Sequence, residues 1–227
     1  MIKLEKTSVM NMDNAIRGAR NPMNSWNKMD SFFMISSEDG LEYEDCIPKF
    51  VMGENDLSLA RRLVKAGSDH RKFLRQIFVS VDITAPLYWW KEFDTYKVGT
   101  VANSCSTMHK IHSKEFTLDD FSHDKMISNF GETFEAMDAL CLVIDVLNDY
   151  RDKYNDTKDK RYWDSMIQLL PSSYNQLRTV TMNYENLLNI CRARKNHKLY
   201  EWHVMCDWIE TLPYFKEMCL EVEANAE

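Results

Sequence analysis

The sequence predicts an α+β fold: a small, mainly antiparallel sheet packed with long helices. Two observations carry this. Residues Gln76 to Ile83 alternate, with Ile77, Val79, Val81 and Ile83 set against Phe78, Ser80 and Asp82, which is the pattern of a half-buried strand. The second half of the chain instead shows helical periodicity. Glu132 to Lys153 places Phe134, Met137, Ala139, Leu140, Val143, Ile144 and Leu147 on a helical repeat, and further helices are predicted over Arg161–Leu170, Met182–Ala193 and Lys198–Thr211. Strand signals early and helix signals late segregate the two element types, as α+β folds do.

The remaining elements follow in chain order. Ile2 to Met10 alternates loosely and reads as an opening strand. Asn14 to Arg20 reads as a short helix, stopped at Asn21-Pro22 because proline cannot donate to the helix ladder. Residues 21–50 read as a long loop with a short strand at Phe32 to Ser36. Asn55 or Asp56 is the expected cap of a helix carrying Leu57, Leu59, Ala60, Leu63 and Val64, with Gly67 as its stop. After the 76–83 strand, Thr84-Ala85-Pro86 marks a break, with proline suited to the first turn of a helix. That helix gives way to a run of small residues ending near Ser104. Pro171 interrupts the later helices and Pro213 ends the last. Residues 1–220 read as one domain, with 221–227 as a frayed tail.

Composition bounds the function. The chain has 227 residues and a formal net charge of −7, so its surface as a whole repels nucleic acid, and an anionic ligand needs a local basic cluster. No run of 18 apolar residues is present, so no membrane span is expected. Met1-Ile2-Lys3-Leu4-Glu5-Lys6 lacks the apolar core of a signal peptide, and a cytoplasmic protein is the expectation. The six cysteines, Cys46, Cys105, Cys141, Cys191, Cys206 and Cys219, include no CxxC pair and show no activating signature, which fits free thiols in a reducing compartment. His109, His112 and His123 lack a carboxylate or cysteine that would complete a recognised metal motif.

The segment Ala85 to Ser104 concentrates aromatic, charged and small polar residues directly after a strand, a composition suited to one wall of a pocket for a flat, charged ligand. Trp89 and Trp90 read either as core or as flat ligand partners. Thr100, Asn103, Ser104 and Ser106 read either as a polar turn or as contacts to phosphate or pyrimidine edges. Asp94 and Lys97, three apart, read as a helical ion pair, whereas Glu92 and Asp94 fall on different helix faces and do not form a carboxylate pair. Arg192-Ala193-Arg194-Lys195 reads either as cations placed at a helix C-terminus or as phosphate ligands.

The order of these signals resembles the flavin-dependent thymidylate synthases. Gly67-Ser68-Asp69-His70 is similar to that family's histidine loop, Ile77–Ile83 to its strand, and Ala85-Pro86 to the entry of its motif helix. Leu169-Leu170-Pro171, Thr181-Met182-Asn183, Leu187, Leu188, Asn189 and Arg194 then match the spacing of its late segment, followed by His197 and Glu201. The chain departs from the family at its Arg-His-Arg motif, where Thr95-Tyr96-Lys97 stands, and upstream, where Lys91-Glu92 replaces Arg-Gln. The resemblance implies a thymidylate synthase-complementing-protein-like fold and a homotetramer. It implies an FAD-dependent methyltransferase that converts dUMP to dTMP with methylenetetrahydrofolate and a reduced nicotinamide nucleotide. Residues implied at the nucleotide are Glu92, Lys97, Thr100, Ser104, Gln176, Arg178 and Arg194. Those implied at FAD are His70, Thr95, Tyr96, Lys97, Asn103, Asn183 and His197. No catalytic side chain is assigned. The alternative is a non-catalytic or altered-specificity relative that binds a pyrimidine nucleotide or a protein partner.

Overall fold

Ile77, Val79, Val81 and Ile83 are fully buried and Phe78 is exposed, as their alternation requires. They belong to or lead into β4 (Phe78–Pro86) of a computed structural model that describes residues 2–35, 48–127 and 134–221. The strand runs through Pro86 and does not break at Thr84. Proline is tolerated as a strand's last residue, and Pro86 holds an extended backbone before helix α3 (Leu87–Phe93) begins. Two first-turn amides of α3 find remote acceptors: Leu87 N donates to the Tyr174 carbonyl and Tyr88 N to that of Ser172, each at 3.0 Å.

The other elements are β1 (Lys3–Met10), α1 (Met12–Ala19), β2 (Phe32–Met34), β3 (Lys49–Val51), α2 (Glu54–Lys65), β5 (Val101–Ser104), α4 (Ala136–Thr157), α5 (Lys160–Leu169), β6 (Asn175–Asn183), α6 (Tyr184–Arg194) and α7 (Tyr200–Glu210). The fold is α+β, with small antiparallel sheets set among helices. The main sheet has the order β1-β4-β6-β5. β2 and β3 form an antiparallel ribbon with Phe32 opposite Val51 and Met34 opposite Lys49. Among the described residues, no helix is long and apolar enough to cross a membrane.

Three strands correct the sequence reading. β3 begins inside the segment read as loop and ends one residue past it. β5 occupies the run read as a small-residue loop. β6 occupies residues expected between helices, so the late helix begins at Tyr184 and not at Met182. The expected strand at Phe32–Ser36 ends at Met34, and Ser36 lies outside the described residues. So do Glu132, the expected start of the long helix, and residues 222–227 of the expected tail.

The chain divides into two compact units. The first comprises residues 1–6, 81–97 and 102–180. Within it, α4 packs on α5 over a core of Ile111, Phe116, Phe121, Leu140, Ile144, Leu147 and Met166. The second comprises residues 7–80, 98–101 and 181–227. Its helices α1, α2 and α6 pack against the 3-10 helix Arg71–Gln76, and α6 packs on α7.

In the second unit, α2 is not capped by Asn55 or Asp56. Asp30 does this from far away in sequence, accepting from Asn55 N at 2.9 Å and Asp56 N at 3.1 Å. Gly53 is required beside it, because a Cβ there would lie 2.2 Å from Asp30 Cγ. Asp56 faces inward instead. It accepts from Arg20 Nε at 2.6 Å, from the Ser31 hydroxyl at 2.6 Å, and from the Asp30 and Ser31 amides. Arg20 and Asp56 are 3% and 1% exposed, so each depends on the other for its charge. Burial opposes ionisation of Asp56, but the Ser31 hydroxyl, the Arg20 guanidinium and the two amides outweigh it and hold the carboxyl below its ordinary value.

Arg20→Ala leaves a buried carboxylate without its cation and should cost about 3–5 kcal/mol by urea denaturation. A loss below about 1 kcal/mol contradicts the assignment. Because the folded-state pKa of Asp56 is depressed, its stabilisation is complete above the unfolded value of about 4 and is lost as pH falls through the lower folded value. Stability measured against pH should therefore fall below about pH 4, and Asp56→Asn should flatten that fall.

Candidate functional site

In the first unit, α3 and β6 together fix one cation. Trp90, 1% exposed, donates its indole N–H to the Gln176 carbonyl at 3.0 Å and presents its ring face to Arg178, whose guanidinium carbon lies 4.1 Å from the ring centroid. Arg178 Nη1 donates to Asp94 Oδ1 at 2.7 Å and its Nε to Gln176 Oε1 at 3.0 Å. Gln176 and Arg178 share a strand face because they are two residues apart. Asp94 therefore pairs with Arg178 and not with Lys97. α3 ends at Phe93, so Asp94 and Lys97 do not occupy successive turns of one helix. Trp89 is also fully buried, which settles both tryptophans as core side chains, with Trp90 doubling as a platform for Arg178.

Gln176 links this cluster to a cavity of about 370 Å³. Its Nε2 donates to the Cys105 carbonyl at 2.7 Å, and Cys105 N donates to the Leu177 carbonyl, so the chain after β5 is laid against the start of β6. Phe116, Tyr174 and Leu177 line the cavity, together with hydroxyls and lysines of residues 106–114. Burial, with the nearby charges of Asp120 and Cys105, pushes the Tyr174 phenol up, so it stays protonated. Ser106 was among the residues singled out from sequence. Lys110, Lys114, Tyr174 and Asn175 were not; the two lysines stand in a run of hydroxyl and basic residues after β5, and Tyr174 and Asn175 carry no local signal.

The other motif residues of this unit are more open. Thr95 donates its hydroxyl to the Glu92 carbonyl at 2.7 Å, closing the end of α3. Tyr96 is half-buried, its ring 6.3 Å from that of Phe93. Lys97 is exposed, and Glu92 is half-buried. Asn103 and Ser104 lie on β5, all of whose residues are exposed.

In the second unit, His70 begins the Arg71–Gln76 helix and lines a cavity of about 750 Å³ together with Leu63, Asp69, Lys72, Phe73 and Gln76. Asn183 caps α6: its Oδ1 accepts from Asn186 N at 3.0 Å, and Asn186 Oδ1 accepts from Asn183 N at 3.2 Å. Asn186 also donates to the Val98 carbonyl at 2.7 Å, which presses Gly99 onto the cap. Gly99 has φ +72°, and a Cβ there would lie 2.9 Å from Asn183 Nδ2, so only glycine fits. The Thr100 hydroxyl is buried without a hydrogen-bond partner among the described residues. At the other end of α6, Arg194 lies over the Trp202 ring at 4.8 Å. His197 Nδ1 accepts from Leu199 N, and its carbonyl accepts from His203 Nε2 at 2.7 Å. Glu185, on the first turn of α6, pairs with Arg71 at 3.1 Å and with Arg75. Burial opposes its charge, but the two arginines hold its carboxyl below the ordinary value.

The predicted residues thus fall into two sets. Glu92, Thr95, Tyr96, Lys97, Asn103, Ser104, Gln176 and Arg178 belong to the first unit. His70, Thr100, Asn183, Arg194 and His197 belong to the second. Within the first set, Gln176 and Arg178 are in direct contact.

No protein-family model matches the sequence, and no curated protein matches it. Solved structures do match in three dimensions. Thymidylate Synthase X (ThyX) from Helicobacter pylori, crystallised with FAD and dUMP, matches with a TM-score of 0.65 and 13% identity, over 98% of this chain and 99% of that one. A second structure of flavin-dependent thymidylate synthase ThyX from Helicobacter pylori, complexed with FAD and dUMP, matches with a TM-score of 0.64 and 14% identity, over 96% and 98%. The UMP/dUMP methylase PolB from Streptomyces cacaoi, bound with 5-Br dUMP, matches with a TM-score of 0.56 and 13% identity, over 100% and 93%. Across nearly its whole length, the chain has the fold of these proteins.

Proposed function

We propose that this chain is a flavin-dependent methyltransferase acting on a pyrimidine nucleotide. In its fullest form the reading is reductive methylation of dUMP to dTMP, with FAD, methylenetetrahydrofolate and a reduced nicotinamide nucleotide, by a cytoplasmic homotetramer. The observation that carries it is the near end-to-end fold likeness to two structures of one protein, each crystallised with FAD and dUMP.

The residues present fit a flavin. The cavity of the second unit combines apolar walls at Leu63 and Phe73 with polar groups at His70, Lys72 and Gln76, the mixture that a flat heterocycle with polar edges requires. When bound, FAD would supply the hydride chemistry, and the protein's tasks are binding, orientation and electrostatics. His70, Asn183 and His197 are assigned to the flavin, with Thr95, Tyr96, Lys97 and Asn103 contributing from the motif segment. Glu92, Lys97, Thr100, Ser104, Gln176, Arg178 and Arg194 are assigned to the nucleotide. The reading needs no cysteine nucleophile. Exposed apolar side chains at Val101, Phe134 and Leu142 support association between subunits.

A specific observation favours a second reading. Thr95-Tyr96-Lys97 carries one cation where the family motif carries two arginines and a histidine, and the nearby Arg178 is already paired with Asp94. A relative with altered specificity, or a non-catalytic nucleotide binder, fits that loss of charge.

Purified protein should be yellow or take up added FAD, bleach with a reduced nicotinamide nucleotide, and reoxidise with dTMP formed when dUMP and methylenetetrahydrofolate are supplied. Protein that stays colourless with added FAD overturns the reading. Flavin uptake without dTMP, but with turnover on another pyrimidine nucleotide, selects the altered-specificity form. Arg194→Ala should weaken dUMP binding by about 1.5–3 kcal/mol in calorimetry, and an unchanged affinity removes Arg194 from the site.

A further inference from the structure

The carboxylate and side-chain amide oxygens that line the cavity of the first unit are already engaged within the protein. Asp120 Oδ1 accepts from Lys114 Nζ, and Asp120 Oδ2 accepts from the Thr117 amide and hydroxyl. Asn175 Oδ1 accepts from the Ser122 hydroxyl at 2.8 Å, and Gln176 Oε1 accepts from Arg178. The Cys105 carbonyl is taken by Gln176 Nε2.

Its donors are in the opposite condition. Ser106 Oγ accepts from the Met108 and His109 amides at 3.2 and 3.0 Å, which leaves its own O–H to donate elsewhere. Among the described residues, Lys110 Nζ, the Tyr174 hydroxyl and Asn175 Nδ2 make no hydrogen bond, and Lys110 has no ion-pair partner. Lys114 is paired with Asp120, so Lys110 gives the cavity a net positive charge in a chain of net charge −7. Phe116, Tyr174 and Leu177 supply flat and apolar walls, and a volume of about 370 Å³ suits a small ligand.

We infer that this cavity is an anion site whose ligand is the phosphate of a nucleoside monophosphate, with Lys110 as the principal cation and the Ser106 and Tyr174 hydroxyls as its neutral donors. A phosphate dianion offers acceptors and carries the charge that pairs with Lys110. The inference rests on the nucleotide reading proposed above and moves the phosphate from the motif segment to the 105–114 loop. Lys110 would thereby replace, in this chain, the cation missing at Thr95 and Tyr96. As a point charge on a flexible stem it would hold phosphate without the bidentate geometry of arginine.

The test is calorimetry on the full-length wild type, Lys110→Gln and, as a control in the second unit, Lys65→Gln, each titrated with dUMP, deoxyuridine and inorganic phosphate. Lys110 is exposed, and unchanged thermal melts for both variants are expected. Lys110→Gln should weaken dUMP at least tenfold and leave deoxyuridine unchanged, and Lys65→Gln should change neither. The Lys110-dependent part of the affinity should diminish with added salt. A dUMP affinity within twofold of wild type in Lys110→Gln, or an equal loss for deoxyuridine, overturns the inference. Wild type that takes up FAD but binds neither dUMP nor phosphate overturns the inference and leaves the flavin reading standing. Lys110-dependent binding of dUMP and phosphate, without uptake of FAD, does the reverse: it keeps the anion site and overturns the proposed flavin activity.

Discussion

Trp90 is the side chain on which the first unit's chemistry depends. Its burial satisfies the apolar demand of α3, and its indole N–H then needs an acceptor, because an unpaired polar group in that environment is costly. The Gln176 carbonyl meets the need and pins the start of β6 to α3. With β6 in that position, Arg178 falls across the outer face of the same indole, and the Gln176 side chain reaches back to Cys105. One buried aromatic thus fixes a cation, a strand register and the wall of a cavity. It does so from within the core, with no need to touch a ligand itself.

The same arrangement explains which parts of the molecule could be read from sequence. β4 and the long helices are set by periodicity, and Ile77, Val79, Val81 and Ile83 or Leu140, Ile144 and Leu147 announce their burial directly. β5 had no such signal, because all of its residues are exposed and no alternation can be selected where neither face is buried. In β6, Gln176, Val180 and Met182 are buried at even positions, but Arg178 stands among them, and a charged residue in that row masks the period. The arginine is half-buried because Trp90 and Asp94 receive it, and Asp94 lies 84 residues away. Local spacing offered Lys97 as the partner of Asp94; tertiary geometry supplied Arg178. The resemblance ordered the segments well, while the cavity that joins residues 105–114 to Tyr174–Gln176 depends on a contact between segments far apart in the chain.

In the second unit, glycine and asparagine define a different kind of constraint. Gly99 is held against the α6 capping pair at a distance no other residue type could keep. Asn183, predicted at a cofactor, thus has its carbonyl oxygen committed to a helix cap and its amide nitrogen turned toward a glycine. A ligand at Asn183 would meet a side chain whose orientation is already fixed, which favours a preorganised contact over an adaptive one.

The exchange of hydrogen bonds between Asp30 and Asp56 bears on how the second unit assembles. Each carboxylate accepts from the amide of the other residue: Asp30 from Asp56 N, and Asp56 from Asp30 N, both at 3.1 Å. A helix ordinarily carries its own start signal within a few residues, so its first turn can nucleate locally. The start signal of α2 is instead 25 to 26 positions upstream, on a separate stretch of chain. The first turn of α2 and the chain at residues 30–31 must therefore order together, and when they open they open as one. Amide exchange at Asn55 and Asp56 becomes a reporter for that distant stretch, and the two segments behave as a single cooperative unit despite the chain that separates them.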